Sequence, residues 1–379
     1  MKIGLINLVV DTNYGGNLQR YALYQTLTGM GHEVEYVFTY RRPYIPSGFK
    51  KFFIYAKRII SKFIFGKSLV VFREKLIESD YDKQLPVFYG FIEQNIHTFK
   101  KKFEEYDNFQ ELNQANFDAF IVGSDQVWRS SPARNISHYF LDFICSNDHV
   151  RKICYAISFG TKDGGFTEKQ ISDCGLLFRK FDYVSYREKN GLLLERKFRW
   201  TCKHQSQVVI DPTLLLQRKD YDILIDDNRT TTFNGIFYYI LDFDEKKGSL
   251  VDRVSKLLKT DSYGITTLFP NYPDDKNFVL PSVEQWVRYI RDARFVITDS
   301  FHGTMFCIIY NKPFAMILNE DRGIERYSPI LEDLNLTDRI IKNYSEVDFI
   351  INNIDWDFVN LRLQSLREKS LFFLHKSLA

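Results

Sequence analysis

The sequence predicts an α/β protein built from two doubly wound, Rossmann-like domains. Short β-rich runs alternate with helical patterns, which is typical of parallel sheets covered by helices. The alternation begins again after about residue 230. A chain of 379 residues with 45% hydrophobic content is also long enough, and apolar enough, to form two hydrophobic cores. We therefore place an N-terminal domain at 1–217, a C-terminal domain at 230–355 and a terminal helix at 356–379.

The N-terminal domain is predicted to open with a strand at 2–10, followed by a helix that begins near Leu18. A second helix should begin near Thr167. Further strands are expected where β-branched and aromatic residues cluster, at 33–38, 118–125, 152–160 and 182–188.

The C-terminal domain repeats the pattern after a polar connector at 208–230, which contains Pro212. Strands are predicted at 235–242, 262–269, 293–300 and 313–318, and helices at 245–258, 282–291 and 303–310. The terminal helix should pack back across the first domain. Two α/β domains that face each other across a cleft form a GT-B type architecture, and such clefts usually hold small-molecule sites.

The composition argues against several classes of protein. The apolar run at the start is too short for a secretory signal, and no stretch has the roughly 18 to 20 apolar residues of a membrane span. Five cysteines without a CxxC pair, and seven scattered histidines, predict neither a disulfide framework nor a metal site. The sequence therefore indicates a cytoplasmic protein without a structural metal.

Positive charge is concentrated in one segment. The net charge is +3, yet residues 41–75 hold ten Lys and Arg and one acid, Glu74, within an insertion at about 41–110. This local charge argues against a nucleic-acid binder. Apolar residues at helical spacing predict a basic amphipathic helix at 49–66, either packed on the core or lying on the inner face of a membrane.

A glycine pair follows the first predicted strand. Gly15 and Gly16 precede Asn17, so backbone amides at a helix start can approach an anion or a sugar group. A purely structural turn explains the pair as well. A dinucleotide site, with Glu35 as ribose ligand, lacks the third glycine of its motif.

The strand at 118–125 ends in Gly123, Ser124 and Asp125, where open α/β sheets present their ligand-binding loops. Asp125 is a candidate general base for an attacking hydroxyl, and helix capping is its structural alternative. Trp128 either stacks on a sugar or packs in the core. Arg187, after the strand at 182–188, is suited to an oxyanion or to an ion pair with Glu188 or another acid.

A second strand-to-helix turn carries the sharpest local motif. Ser300, Phe301, His302 and Gly303 bring a hydroxyl, an imidazole and helix amides into one small space. Downstream, Arg322 and Arg326 share a face if helical, and either clamp an anion or pair with Asp321 and Glu325.

These segments together resemble the polysaccharide pyruvyl transferase family. The resemblance runs from the first strand to about Arg339, and it is weakest at 41–110. Its motifs are GGNLQRYAL, FDAFIVGSDQVW, YFLDF, YAISFG, VSYREKNG, VVIDPTLLL, SVEQWVRYIRDARFVITDSFHG, and NKPF followed by RGIER.

The resemblance implies a GT-B-like enzyme that uses phosphoenolpyruvate, forms a ketal on a saccharide and releases phosphate, without a metal or cofactor. It places Arg187 and the turn with Ser300, Phe301, His302 and Gly303 on the donor side, and Asp125 toward a saccharide acceptor, which can be lipid-linked. The negative charge of phosphoenolpyruvate suggests Arg326 as a further donor ligand. Two alternatives stay open: a glycosyltransferase that uses a nucleotide sugar, and a saccharide-binding protein without activity.

Overall fold

The computed structural model describes residues 1–41, 48–64, 71–130, 135–144, 149–226, 234–266, 279–318, 328–341, 344, 347 and 352–379. For residues 50, 51, 73–80 and 328 only the backbone is described. The strands, in chain order, are β1 (Lys2–Ile6), β2 (Glu33–Tyr36), β3 (Thr39–Tyr40), β4 (Phe103–Glu104), β5 (Ala119–Val122), β6 (Arg151–Ile157), β7 (Tyr183–Tyr186), β8 (Gln207–Val208), β9 (Ile236–Ile240), β10 (Ser262–Thr266), β11 (Phe295–Thr298), β12 (Phe314–Ile317) and β13 (Ile340–Ile341).

The described residues also form eleven α-helices. They are α1 (Tyr14–Gly29), α2 (Gly48–Phe63), α3 (Arg73–Asn95), α4 (Glu168–Phe178), α5 (Lys189–Lys197), α6 (Arg218–Asp222), α7 (Glu245–Leu258), α8 (Val283–Asp292), α9 (Phe301–Ile309), α10 (Ser328–Asp333) and α11 (Trp356–Leu378). Among the described residues, no helix combines the length and apolar character needed to cross a membrane.

Two parallel sheets form the framework, as the sequence predicts. The first has six strands in the order β2-β1-β5-β6-β7-β8, and the second has five in the order β10-β9-β11-β12-β13. Central strands such as β5 and β11 are buried on both faces, which explains their continuous apolar sequences. A small parallel pair, β3 and β4, was not predicted.

The first helix begins earlier than its apolar pattern suggested. Asn13 caps α1 by accepting a hydrogen bond from the backbone N–H of Gly16, so the helix starts at Tyr14 instead of near Leu18. Strand β1 correspondingly ends at Ile6 instead of residue 10. The glycine pair is therefore part of the first helical turn.

Aromatic packing joins the two halves of the protein. Tyr14 of α1 stacks on Trp286 of α8 with ring centroids 5.4 Å apart, and its hydroxyl donates to the carbonyl of Pro281 at 2.8 Å. The Gln84 side chain of α3 accepts a hydrogen bond from the backbone N–H of Leu280 at 2.7 Å. One hydrophobic core therefore spans helices from both sheets.

The terminal helix packs back on the first sheet, as predicted. Ser370 of α11 accepts a hydrogen bond from the backbone N–H of Ile210 at 3.1 Å, and Arg367 donates to the carbonyl of Leu214 at 2.9 Å. The predicted connector is itself structured, because it contains a short 3₁₀ helix (Pro212–Leu214) and α6.

Candidate active site

Three predicted site segments lie at the switch points of the two sheets, where strand order reverses and open α/β folds bind ligands, while Arg187 follows β7. In the first sheet this point lies between β1 and β5, and Ser124 and Asp125 closely follow β5. In the second it lies between β9 and β11, and the turn that carries His302 follows β11. The two points meet where the backbone of Gly15 in α1 lies against the His302 ring.

Arg187 lies at the centre of a buried ionic cluster. Its Nη1 donates to Asp211 Oδ2 at 3.0 Å, and its Nη2 donates to Asp125 Oδ1 at 3.1 Å. Glu188 Oε2 is 3.5 Å from Nε, and the guanidinium carbon is 4.4 Å from the centroid of the Phe301 ring. The Arg187 side chain is only 3% exposed, so the structure contains the ion pairs that the sequence allowed as an alternative to anion binding.

The cluster keeps Arg187 charged. Burial alone would lower the pKa of the guanidinium, but the nearby carboxylates of Asp125, Glu188 and Asp211 outweigh it and raise that pKa. Arg187 can therefore act as a fixed cation that orients carboxylates or an anionic ligand.

Asp211 connects the cluster to both domains, and sequence reasoning missed it. Its Oδ2 also accepts a hydrogen bond from Gln19 Nε2 of α1, while its Oδ1 accepts from the backbone N–H of Thr213 at 3.0 Å and the Thr213 hydroxyl at 2.7 Å. Burial alone would raise the pKa of Asp211, but His302, Arg187 and Thr213 together lower it well below its usual range. Asp211 is therefore a buried carboxylate that stays charged.

His302 lies beside Asp211 from the opposite domain. Its Nε2 is 3.7 Å from Asp211 Oδ2, and among the described residues this nitrogen has no partner within hydrogen-bond distance. The residue is 5% exposed. A buried imidazole nitrogen that faces a charged carboxylate across such a gap is placed to bind or transfer a proton once a ligand enters.

The other residues of the Ser-x-His-Gly turn hold its backbone. Ser300 caps α9 by accepting a hydrogen bond from the backbone N–H of Gly303 at 3.3 Å. A Cβ on Gly303 would lie 2.4 Å from the hydroxyl oxygen of Thr298, so the turn requires glycine there. Phe301 stacks on Arg187. The hydroxyl of Ser300 thus serves as a helix cap, and substrate binding by this turn remains a prediction.

The glycine pair and Asn17 form the facing turn of α1. Asn17 Nδ2 donates to the carbonyls of Asp11 and Asn13, each at 2.9 Å, and Oδ1 accepts from Arg20 at 2.7 Å. Because these bonds hold the Asn17 side chain against its own loop, its contribution here is to fix the turn. The geometry gives Gly15 its clearest role, since only a residue without a side chain fits against His302.

Two buried polar atoms at the first switch point have no hydrogen-bond partner in the described part of the chain. Among the described residues, nothing forms a hydrogen bond with Ser124 Oγ or with Asn7 Nδ2, although both residues are at most 1% exposed. They follow adjacent strands, since Ile6 of β1 pairs with Val122 of β5. Unsatisfied polar atoms in such a position are suited to the hydroxyl groups of a ligand.

Other candidates lie elsewhere or outside the described residues. Trp128 is fully buried, stacks on Phe140 at 4.4 Å and donates to the carbonyl of Tyr139, so it is a core residue and cannot stack on a sugar. Arg322 and Arg326 lie outside the described residues. In the described part of the chain, no group of His, Cys, Asp and Glu could hold a metal ion.

Solved structures with similar architecture include three UDP-GlcNAc 2-epimerases. The enzyme from Methanocaldococcus jannaschii has a TM-score of 0.50 at 10% identity, over 96% of this chain and 92% of that one. The enzyme from Neisseria meningitidis, bound to UDP-GlcNAc, has a TM-score of 0.49 at 9% identity, over 99% of this chain and 100% of that one. The enzyme from Rickettsia bellii has a TM-score of 0.49 at 10% identity, over 99% of this chain and 96% of that one. The similarity to the Methanocaldococcus jannaschii enzyme supports the GT-B-like fold.

Sequence comparison identifies the family. No curated protein matched the chain. A family model, described as polysaccharide pyruvyl transferase, matches residues 13–321. The match includes both switch points, Arg187, Asp211 and His302. The chain therefore belongs to the polysaccharide pyruvyl transferase family.

Proposed function

We propose that the protein transfers the pyruvyl group of phosphoenolpyruvate to two hydroxyls of a saccharide, forming a ketal and releasing phosphate in surface polysaccharide biosynthesis. Family membership makes it a transferase. The observation that carries the finer proposal is the buried cluster in which Asp125, Arg187 and Asp211 meet His302 between the two sheets. It combines a carboxylate, a fixed cation and an imidazole at one place.

The donor has two anionic groups, a carboxylate and a phosphate. We assign the phosphate to His302 and to the amides of the first turn of α9, where the helix dipole favours an anion. We assign the carboxylate to Arg187, whose planar fork matches it. For the donor carboxylate to bind, Arg187 must release one of the aspartates that it now contacts. We propose that Asp125 is released, because three further hydrogen bonds hold Asp211 in place. Arg326 remains a proposed donor ligand.

The residues can then perform a balanced reaction. The methylene carbon gains a proton, and one acceptor hydroxyl adds to the central carbon while Asp125, released from Arg187, takes the hydroxyl proton. Breaking the carbon–oxygen bond to phosphate, with a proton from His302, regenerates an electrophilic carbon. The second hydroxyl closes the ketal, and its proton replaces the one that His302 gave to phosphate. The proton held by Asp125 returns to solvent and replaces the one that solvent gave to the methylene carbon. The products are a pyruvyl ketal and inorganic phosphate.

The acceptor would lie toward the first switch point. Ser124 follows β5 there, next to Asp125, and its buried hydroxyl has no partner among the described residues. Hydroxyl groups of a saccharide can satisfy such an atom. We propose a saccharide acceptor that is free, nucleotide-linked or lipid-linked, and no cofactor besides the donor substrate.

A cytoplasmic location, at the inner face of the membrane, is part of the proposal. Cys154, Cys174, Cys202 and Cys307 are free thiols, which a reducing compartment preserves.

Phosphate release tests the proposal directly. Purified protein is incubated with phosphoenolpyruvate and a panel of free, nucleotide-linked and lipid-linked saccharides, and phosphate and acceptor mass are measured. We expect acceptor-dependent phosphate release and a pyruvylated product. Release of nucleoside diphosphate from a nucleotide sugar, without consumption of phosphoenolpyruvate, would instead establish the glycosyltransferase alternative. Saccharide binding without either reaction would establish a binding protein.

A further inference from the structure

Helix α2 presents an apolar stripe to solvent. Its large apolar residues recur at spacings of three and four, which places them on one face. Phe49 is 85% exposed, and Phe63 is 76% exposed. The same stripe contains Phe52, Phe53, Ile59 and Ile60, all of them exposed.

The opposite face of α2 holds the helix to the protein. Tyr55 packs edge-on against Phe72 with ring centroids 5.1 Å apart, and Arg58 donates to the carbonyl of Val71 at 3.2 Å. Ile54, Tyr55 and Arg58 are only partly exposed. A helix packed on a core would have the reverse orientation, so the described residues contradict the core-packed interpretation of this segment.

The segment that contains this stripe is rich in positively charged residues. Lys57 and Lys62 are exposed on α2, and Arg41, Arg42, Lys50, Lys51, Arg58, Lys67, Arg73 and Lys75 also belong to the segment, whose one acid is Glu74. An exposed apolar face flanked by lysines complements a surface that is both apolar and negatively charged. Anionic lipid bilayers have this chemistry.

We infer that α2 is a membrane-binding helix that lies in the interface of an anionic bilayer. Its 16 residues extend about 24 Å, less than the roughly 30 Å of a hydrocarbon core, so it lies along the surface and does not span it. The phenylalanines enter the boundary between head groups and acyl chains, and the lysines contact the head groups. If the proposed function holds, this places the active site beside lipid-linked acceptors.

Vesicle co-sedimentation of the full chain tests this inference. The vesicles contain equal parts of phosphatidylglycerol and phosphatidylcholine, or phosphatidylcholine alone. We expect the protein to sediment with the anionic vesicles and to dissociate as salt rises. Lys57→Glu with Lys62→Glu should lower the partition coefficient by more than roughly thirtyfold, since the loss of each positive charge near the surface accounts for about fivefold and the added carboxylates are repelled. Phe49→Ser with Phe63→Ser should abolish sedimentation.

Matched controls separate this effect from general surface changes. Phe372→Ser, at a position 67% exposed in α11, and Lys246→Glu with Lys256→Glu in α7 should sediment like the parent. Failure of the parent to bind anionic vesicles at low salt, or binding by the Phe49 and Phe63 variant, would overturn the inference. So would equal binding to neutral vesicles, or a dimer in solution that the serine substitutions dissociate.

Enzyme assays keep this inference separate from the proposed function. The α2 variants should process a soluble saccharide acceptor at the parent rate, because α2 contributes no residue to the site. Loss of that activity in well-folded variants would contradict a purely membrane-binding role. Lipid binding by a protein that lacks pyruvyl transfer would leave the α2 assignment intact and refute only the proposed reaction.

Discussion

The backbone of Gly15 lies directly against the imidazole of His302, so that a Cβ on residue 15 would lie 2.0 Å from His302 Nδ1. Helix α1 of the first domain thereby sets the position of a histidine in the second. Gly15→Ala should displace the ring or separate the two helices, costing about 1–3 kcal/mol of stability. Turnover should fall by about a hundredfold, since a shift of that size misplaces the imidazole. Thermal unfolding and steady-state kinetics measure both effects.

Gly29→Ala, in the same helix, is the matched control. No described atom lies within 4 Å of a Cβ at that position, so activity should be unchanged. A Gly15→Ala protein with normal turnover and normal stability would show that the contact does not constrain His302.

Local patterns predicted most of the framework. Helix α7 covers residues 245–258 as expected, because Asp244 caps it at the point where its apolar spacing begins. Helix α3 was not predicted, since Pro86 and several charges interrupt its pattern, yet its packing partners in both domains support it. Tertiary packing there outweighs local propensity.

The site was predicted in part, for a similar reason. Asp125, Arg187 and His302 each follow a strand, a position readable from sequence, and the structure brings them together. Asp211 lies in a segment that suggested a connector, and its partner Gln19 is 192 residues away. Only the fold reveals such a contact. The Asp-Pro pair at 211–212, typical of a helix start, was the available signal.

His302→Gln should lower turnover by roughly 10² to 10⁴ while leaving stability nearly unchanged. Glutamine fills a similar volume and forms hydrogen bonds, but it cannot supply an imidazole proton as phosphate leaves. His375→Gln, at an exposed position in α11, is the control. Single-turnover measurements with phosphoenolpyruvate distinguish this chemical defect from weaker binding. Normal turnover in the variant would remove His302 from the proposed mechanism.

Arg187→Lys should mainly weaken donor binding. Lysine keeps the charge but lacks the planar fork, so the KM for phosphoenolpyruvate should rise about tenfold to a hundredfold. The KM is measured by varying the phosphoenolpyruvate concentration at saturating acceptor. Arg179→Lys, at the exposed end of α4, is the control and should leave the KM unchanged. An unchanged KM would limit Arg187 to its ion pairs with the two aspartates.

Asp125→Asn should retain most donor affinity while turnover falls by roughly 10² to 10⁴, the range for loss of a general base. The amide preserves the shape of the side chain but cannot take up a hydroxyl proton. Donor binding, followed by calorimetry, should stay within a few-fold of the parent. Equal turnover would mean that Asp125 serves only as a structural partner of Arg187.

Asp211→Asn should destabilise the protein at neutral pH, by about 3–5 kcal/mol, because it leaves the buried Arg187 without one of its charged partners.

The lowered pKa of Asp211 means that its carboxylate stabilises the folded state above the unfolded-state pKa of about 3.9. That contribution is lost as the pH falls through the pKa of the folded state. We therefore expect the difference in the free energy of unfolding between parent and variant, measured with urea, to be constant from neutral pH down to about 5. The difference should become smaller below about pH 4. Asp173→Asn is the control, since its ion pair with Lys169 is exposed to solvent and should contribute little to stability. Two results would contradict a buried, charged Asp211 that stabilises the contact between the domains. One is a difference in stability between parent and Asp211→Asn that grows as the pH falls, and the other is no difference at neutral pH.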